Sequence, residues 1–197
     1  MAVEIWAARL IRPLREDEDR ALTALLPPER AARLQRSRNT AGRAEALCAY
    51  ALLLELLQSR YGWERLPEVA LSKTGKPWFP ACPEACFSLS HTAGAAAAAV
   101  HDRPVGVDLE RLRPVSPRLL RRTEARDPET FFRDWVRREA LSKKKGGNLA
   151  ELFKEPSVPP GVFYFPLELF PGYAAGAAGC DSAPPEVRLR TQEELLL

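Results

Sequence analysis

The segment that decides the fold is GAAAAAVHDRPVGVDLE, residues 94–110. Two runs, Gly94–Val100 and Val105–Glu110, flank His101–Pro104, a connection of polar and turn-forming residues. This pattern predicts a β-hairpin. Alanine alone favours a helix, but beside these turn residues the alanine run is better explained as a packed strand. The middle of the chain is therefore predicted to form a buried sheet.

The N-terminal side of this segment alternates strand and helix patterns. Val3–Leu10 predicts a first strand, and the acidic stretch Arg15–Asp19 suits the first turn of a helix. Glu29–Arg60 has apolar residues at helical spacing and predicts one long helix with a basic leading end. Short strands are predicted at Val69–Ser72 and Phe87–Ser90.

The C-terminal side repeats the combination of a helix and a small sheet. Arg113–Pro117 contains two prolines and is predicted to join two half-domains, residues 1–112 and 113–197. Pro128–Lys145 predicts a strong helix that Gly146 and Gly147 end. Three short strands are predicted in the tail, at Val162–Leu169, Pro171–Ala174 and Glu186–Arg190. The fold class is therefore predicted to be α+β.

Composition narrows the class of protein. The 197 residues are 46% hydrophobic, enough for a real core. Lys and Arg number 29 against 26 Asp and Glu, too small an excess for a dedicated nucleic-acid binder. The longest apolar run, Ala95–Val100, is far shorter than a membrane span. The start Met1-Ala2-Val3-Glu4 has no secretory pattern, so we expect a cytoplasmic location.

Asp108 and Glu110 indicate a functional site more strongly than any other motif in the sequence. Residues two apart in a strand project from the same face, so their carboxylates converge. Mg²⁺ prefers oxygen ligands, commonly one or two carboxylates with water and phosphate oxygens. The pair is therefore a candidate binding site for a metal-bound phosphate ester. The alternative is that both carboxylates lie at a solvent-exposed end of the strand.

Glu139 and Lys143 lie four residues apart in the predicted helix Pro128–Lys145, hence on one face. Alone, this spacing is typical of a surface ion pair worth only about 0.3 to 0.5 kcal/mol.

Three further motifs could contact phosphate. Ser90 and His91 are adjacent on a strand and point to opposite faces, so they cannot easily form a nucleophile and base pair, and phosphate contact or structural hydrogen bonding remain. Lys76 sits in a rigid turn with Pro77. The basic helix start carries Arg30, Arg33 and Arg43, which either bind a polyanion or form a solvated face.

The order of these motifs resembles that of a known family. Gly75–Pro77, Phe87–His91, Gly106–Glu110 and Trp135–Lys143 resemble the ordered motif set of the Sfp-type 4′-phosphopantetheinyl transferases. The resemblance runs nearly end to end, with similar stretches at Pro28-Glu29-Arg30, Pro171-Gly172-Tyr173 and Glu193–Leu196.

This resemblance implies an α+β fold of two similar half-domains related by a pseudo-twofold axis, with coenzyme A in the cleft between them. It implies transfer of phosphopantetheine from coenzyme A to a serine of an apo acyl or peptidyl carrier protein, with 3′,5′-ADP released. It implies Mg²⁺, or Mn²⁺ in its place. A monomer is expected because one chain would supply both halves of the cleft, and the charge balance and short apolar runs predict that the protein binds neither nucleic acid nor membrane. The carriers would serve fatty acid, polyketide or nonribosomal peptide synthesis.

The resemblance also assigns residues to roles. The metal ligands would be Asp108, Glu110 and Glu139, and the catalytic residues would be Glu139 and Lys143. Coenzyme A would be contacted by Arg30, Arg33, Arg43, Lys76, Pro77, Ser90, His91, Asp108 and Lys143. The carrier would contact the segment after Glu110, at Leu112, Leu119 and Leu120.

Two rival functions use the same residues. A Mg²⁺-dependent phosphodiesterase would use the three carboxylates with water as nucleophile, but it would leave Lys76 and His91 without a role. A catalytically silent module that binds carriers or nucleotides would have no need for the complete set of Asp108, Glu110, Glu139 and Lys143.

Overall fold

The computed structural model describes residues 2–147 and 158–196, and it shows the predicted mixture of helices and strands. The helices are α1 (Glu16–Ala24), α2 (Pro28–Gln35), α3 (Thr40–Tyr61), α4 (Pro117–Arg122) and α5 (Pro128–Lys145), with a short 3₁₀ helix at Glu194–Leu196. The strands are β1 (Glu4–Arg9), β2 (Ala70–Leu71), β3 (Pro77–Trp78), β4 (Cys86–Thr92), β5 (Ala95–His101), β6 (Gly106–Arg111), β7 (Phe163–Leu167), β8 (Tyr173–Gly179) and β9 (Glu186–Arg190).

The alanine run forms β5, as predicted, inside a four-stranded sheet of order β4-β5-β1-β9. Every residue of β5 is buried. Ala96, Ala98 and Val100 pack on the side of α3, and the alternate alanines pack toward β6 and β8. Small side chains fit this strand because both of its faces are covered. The late strand β9 pairs in parallel with β1, so the C-terminal tail completes the first sheet.

The predicted hairpin between Gly94–Val100 and Val105–Glu110 is wrong. Strands β4 and β1 occupy both edges of β5, so β6 leaves this sheet and pairs with β8 in a second sheet of order β6-β8-β7. The tight turn lies one strand earlier, between β4 and β5, where Ala93 has φ of 27° and Gly94 has φ of 84°. Glycine tolerates this left-handed conformation without strain.

The predicted single helix over Glu29–Arg60 is also wrong, because the segment forms two helices, α2 and α3. The break ends at Asn39, whose side-chain oxygen accepts a hydrogen bond from the backbone N–H of Gly42 at 3.0 Å. Asparagine is a strong N-cap, and apolar spacing does not reveal a cap inside a continuous pattern. Helix α3 then runs to Tyr61 and ends at Gly62 in the left-handed conformation.

Helix α5 has the predicted bounds and packs directly on β6 and β8. Asp127 caps its start by accepting from the N–H of Thr130 at 2.7 Å, and Gly146 ends it with φ of 73°. Gly106 allows the closest approach of helix and strand, since a Cβ there would overlap the carbonyl oxygen of Ala140 and the amide nitrogen of Lys144. The side chains of β6 and α5 are therefore brought into direct contact. In the described part of the chain, no helix is long and apolar enough to cross a membrane.

We predict that Gly106→Ala lowers the free energy of unfolding by about 3 kcal/mol, because the added methyl group meets backbone atoms that cannot rotate away. Urea denaturation followed by circular dichroism measures this change. Gly62→Asn is the control, because a side chain at Gly62 meets nothing within 4 Å and asparagine tolerates the left-handed conformation. Equal losses in the two variants would contradict the close approach of α5 to β6.

Candidate active site

The carboxylate of Asp108 lies at the junction of β4, β6 and α5. It is buried, with 3% of the residue exposed. Its Oδ1 accepts a hydrogen bond from the hydroxyl of Ser90 at 2.7 Å and from the ammonium group of Lys143 at 2.6 Å. Its Oδ2 is buried and has no hydrogen-bond partner among the described residues. A buried carboxylate oxygen without a partner is costly, so the solvated strand end considered from the sequence is wrong for Asp108.

Serine hydroxyls of β4 hold β6 in place without a strand ladder between them. Ser90 accepts from the N–H of Leu109 at 3.2 Å, and Ser88 accepts from the N–H of Val107 at 3.0 Å. The hydroxyl of Ser90 can donate to Asp108 while it accepts from Leu109, because a hydroxyl has one donor and two acceptor positions. The two sheets are thus joined next to the buried carboxylate.

Glu139 and Lys143 face the same place from α5. The ammonium nitrogen of Lys143 lies 3.8 Å from Oε2 of Glu139, 2.6 Å from Asp108 and 3.3 Å from the carbonyl oxygen of Val107. Both residues of the pair are half-buried. One ammonium group therefore contacts a carboxylate from each of two elements, which a simple surface ion pair does not do.

Glu110 lies further along β6, toward solvent. Its Oε2 accepts from the hydroxyl of Thr92 at 3.2 Å and from the guanidinium group of Arg113 at 2.8 Å. Glu110 and Glu139 together line a cavity of about 350 Å³ that also has Phe131 and Trp135 on its wall. Within residues 2–147 and 158–196, no group of three or more His, Cys, Asp or Glu side chains is arranged to hold a metal ion.

The charges of these carboxylates act on one another. Burial raises the pKa of Asp108 above its usual value, and the charge of Glu110 adds to this effect, although Lys143 opposes it. Burial also raises the pKa of Glu139, with further contributions from the charges of Asp108 and Glu110. Because nearby negative charges destabilise the ionised forms of Asp108 and Glu139, the site favours a cation.

Comparison with known proteins points to one family, although no family model matches the chain. The chain is 22% identical over 162 residues to 4′-phosphopantetheinyl transferase Sfp of Bacillus subtilis strain 168, which covers 75% of this chain and 72% of that protein. A second Bacillus subtilis 4′-phosphopantetheinyl transferase is 24% identical over the same shares of the two chains. 4′-Phosphopantetheinyl transferase AcpT of Salmonella typhi is 33% identical over 113 residues, 49% of this chain and 59% of that protein.

The chain is thus similar to several 4′-phosphopantetheinyl transferases over half to three quarters of its length. The family resemblance that the sequence motifs indicated is thereby confirmed, as is the expectation of a transferase enzyme.

Lys76 and Pro77, assigned by the transferase motifs to coenzyme A, line a cavity of about 180 Å³ together with Lys143. The ammonium group of Lys76 donates to the carbonyl oxygens of Val105 at 3.2 Å and Lys144 at 3.4 Å. Burial lowers the pKa of Lys76 to about 8. The structure therefore brings Lys76 and Lys143 to one cavity.

The other residues that the transferase motifs assign to coenzyme A lie around α3. His91 is more exposed than Ser90 and lies on the other face of β4, with its Nδ1 at 3.5 Å from Glu45. The guanidinium group of Arg30 lies 5.2 Å above the ring of Tyr50.

Arg33 and Arg43 differ in their surroundings. Arg33 is exposed on α2. Arg43 faces α1, where it forms an ion pair with Asp19 and a 3.4 Å contact with the hydroxyl of Thr23. Arg43 lines a separate cavity of about 900 Å³ and is not among the residues that line the cavity of Lys76 and Lys143.

Thr92 and Tyr173 make contacts near the site that the sequence motifs did not predict. Thr92 contacts Glu110, and it continues the alternation of Ser88 and Ser90 along one face of β4, a signal that could have identified it. Tyr173 donates from its hydroxyl to the carbonyl oxygen of Ala93 at 2.7 Å. Ala93 and Tyr173 are 80 residues apart in the sequence, so no local pattern predicts this contact.

The lowered pKa of Lys76 predicts a pH dependence of stability. Below pH 8 the folded protein buries a charge, which is unfavourable, and between pH 8 and 10.5 the folded state has lost a proton that the unfolded state retains. The free energy of unfolding of the native protein should therefore rise with pH across this range, relative to Lys76→Met, by on the order of 1 kcal/mol.

Urea denaturation at pH 7 and pH 9.5 measures this difference. Lys73→Met removes an exposed lysine from the same turn and is the control for loss of charge. Parallel pH profiles for the native protein and Lys76→Met would contradict the burial of a charged ammonium group.

Proposed function

We propose that this chain transfers the 4′-phosphopantetheine group from coenzyme A to a serine hydroxyl of an apo acyl or peptidyl carrier protein, in a Mg²⁺-dependent reaction that releases 3′,5′-ADP. The names of the related transferases support the class of reaction. The observation that carries the proposal is the buried carboxylate of Asp108, with one oxygen on Lys143 and the other without a partner.

The chemistry of the acidic residues fits a divalent cation. Asp108, Glu110 and Glu139 offer only carboxylate oxygens, the donors that Mg²⁺ prefers, and Mn²⁺ accepts the same donors. Oδ1 of Asp108 is satisfied by Ser90 and Lys143, so the partner-free Oδ2 is the oxygen available to a cation. When bound, the ion would neutralise charge on the pyrophosphate oxygens.

Cationic side chains around the cleft suit the phosphates of coenzyme A. We place the donor between two similar half-domains, residues 1–112 and 113–197. Lys76, Pro77 and Lys143 share one cavity wall, which supports binding of part of the donor there. Ser90 and His91 from β4, and the three arginines Arg30, Arg33 and Arg43, complete the proposed contacts. Guanidinium and ammonium groups pair well with phosphate oxygens.

Glu139 would accept the proton of the carrier serine. The serine oxygen attacks the phosphorus that bears the pantetheine arm, the bond from that phosphorus to the bridging oxygen breaks, and the electron pair leaves with 3′,5′-ADP. A carboxylate whose pKa is raised by burial accepts a proton more readily near neutral pH, which suits this role. Lys143 would stabilise the negative charge on the departing group.

The carrier would approach from the side of the 350 Å³ cavity. Leu119 lines this cavity beside Glu110 and Glu139, and Leu112 and Leu120 pack against the same apolar cluster as Phe131. These leucines are proposed carrier contacts. The pathway served, the monomeric state and the cytoplasmic location stay predictions from the sequence.

The decisive assay mixes the protein with Mg²⁺, coenzyme A and a panel of apo carrier proteins. We expect a mass gain of one phosphopantetheine group on the carrier serine, detected by mass spectrometry of the intact carrier. Hydrolysis of coenzyme A without a carrier would indicate a phosphodiesterase instead. Binding of coenzyme A or carrier with no change in mass would indicate a silent module.

Glu139→Gln should lower kcat by about a hundredfold or more, because the amide cannot accept the serine proton. Glu129→Gln is the matched control, since Glu129 lies on the same helix but forms only an exposed ion pair with Arg133. The rates are measured with the carrier that gives a mass gain. An unchanged kcat in Glu139→Gln would contradict its role as the proton acceptor.

A further inference from the structure

Glu45 is a buried carboxylate for which the proposed reaction has no role. It lies near the start of α3, with 8% of the residue exposed. The buried Glu18 of α1, by contrast, is paired with Arg12 and Arg15. Among the described residues, no lysine or arginine forms an ion pair with Glu45. A buried carboxylate without a cationic partner needs another source of stabilisation.

Both oxygens of Glu45 face the turn between β4 and β5. Oε1 accepts a hydrogen bond from the backbone N–H of Gly94 at 2.7 Å. Oε2 lies 3.5 Å from Nδ1 of His91. The side chain of His91 is 40% exposed, so part of the imidazole ring is open to solvent.

The two ring nitrogens of histidine are chemically distinct, and a carboxylate beside one of them decides which carries the proton. With Nδ1 next to Glu45, the favourable neutral form has its proton on Nδ1 and only a lone pair on Nε2, which cannot donate to an anion. A protonated imidazole in the same orientation donates from Nε2 outward. Only the protonated ring can therefore donate from both edges, to Glu45 on one side and to a phosphate oxygen on the other.

We propose that Glu45 is a positioning residue that orients His91 and favours a proton on its Nδ1, so that the protonated imidazole donates from Nε2 to an anionic phosphate group of coenzyme A. This inference rests on the proposed function, since His91 is there assigned to coenzyme A. Glu45 acts through His91.

The turn that Glu45 holds is also connected to the catalytic carboxylates. Thr92, next to His91, donates to Glu110, and the hydroxyl of Tyr173 donates to the carbonyl oxygen of Ala93. Contacts from α3 and from the C-terminal strand β8 therefore both hold this turn. Loss of the Glu45 charge should disturb His91 more than the turn, because an amide oxygen can still accept from Gly94.

The test begins with the tautomer, measured on the protein without coenzyme A. The chain has only two histidines, His91 and His101, so ¹⁵N spectra of the imidazole rings are simple, and His91→Gln assigns them. We expect the proton of neutral His91 on Nδ1 in the native protein and a shift toward Nε2 in Glu45→Gln. The same tautomer in both proteins would overturn the proposal whether or not the protein transfers phosphopantetheine.

Kinetics then separate positioning from simple structural support. Glu45→Gln should raise KM for coenzyme A about tenfold with little change in kcat, and it should add nothing in a His91→Gln background. Glu55→Gln is the matched control, because Glu55 lies on α3 but pairs with Arg190. Additive effects of Glu45→Gln and His91→Gln would overturn the proposal, since the two residues would then act separately.

Discussion

The contact between the buried carboxylate of Asp108 and the ammonium group of Lys143 is the interaction on which the rest of the structure depends. Removing a carboxylate from water costs several kcal/mol, and only good hydrogen bonds and an opposite charge offset that cost. Ser90 and Lys143 supply them from β4 and α5. The position of the Asp108 side chain therefore requires the first sheet, the second sheet and α5 to meet at one point.

Small residues allow the two sheets and α5 to pack this closely. Gly106 lets the backbone of α5 lie against β6, and Gly176 of β8, paired with Asp108, leaves room for the ring of Tyr164. The alanines of β5 fill the space between α3 and the second sheet without pushing either away. The acidic site is nevertheless strained electrostatically, because burial and like charges raise the pKa of both Asp108 and Glu139. Clustered carboxylates of this kind are expected where a cation is used in catalysis.

The sequence predicted what depends on local pattern. The bounds of α5 follow from Pro128 and Gly146, and the convergence of Asp108 with Lys143 followed from motifs that resemble a known family. The sequence did not predict which strands pair when the competing strands are distant along the chain. Two strands joined by His101–Pro104 resemble a hairpin locally, but the partners of β5 are β4 and β1, and the gain from that pairing is invisible in the connection itself. The interruption between α2 and α3 was hidden because Asn39 interrupts no apolar stripe.

The most direct test of the account is calorimetric titration of coenzyme A, with and without Mg²⁺, into the native protein and Asp108→Asn. Mg²⁺ should tighten binding to the native protein by about tenfold or more, which corresponds to at least about 1.4 kcal/mol. No such gain is expected in Asp108→Asn, whose circular dichroism spectrum should stay native. An equal gain in the two proteins, or none in the native one, would contradict the claim that this carboxylate organises the active site.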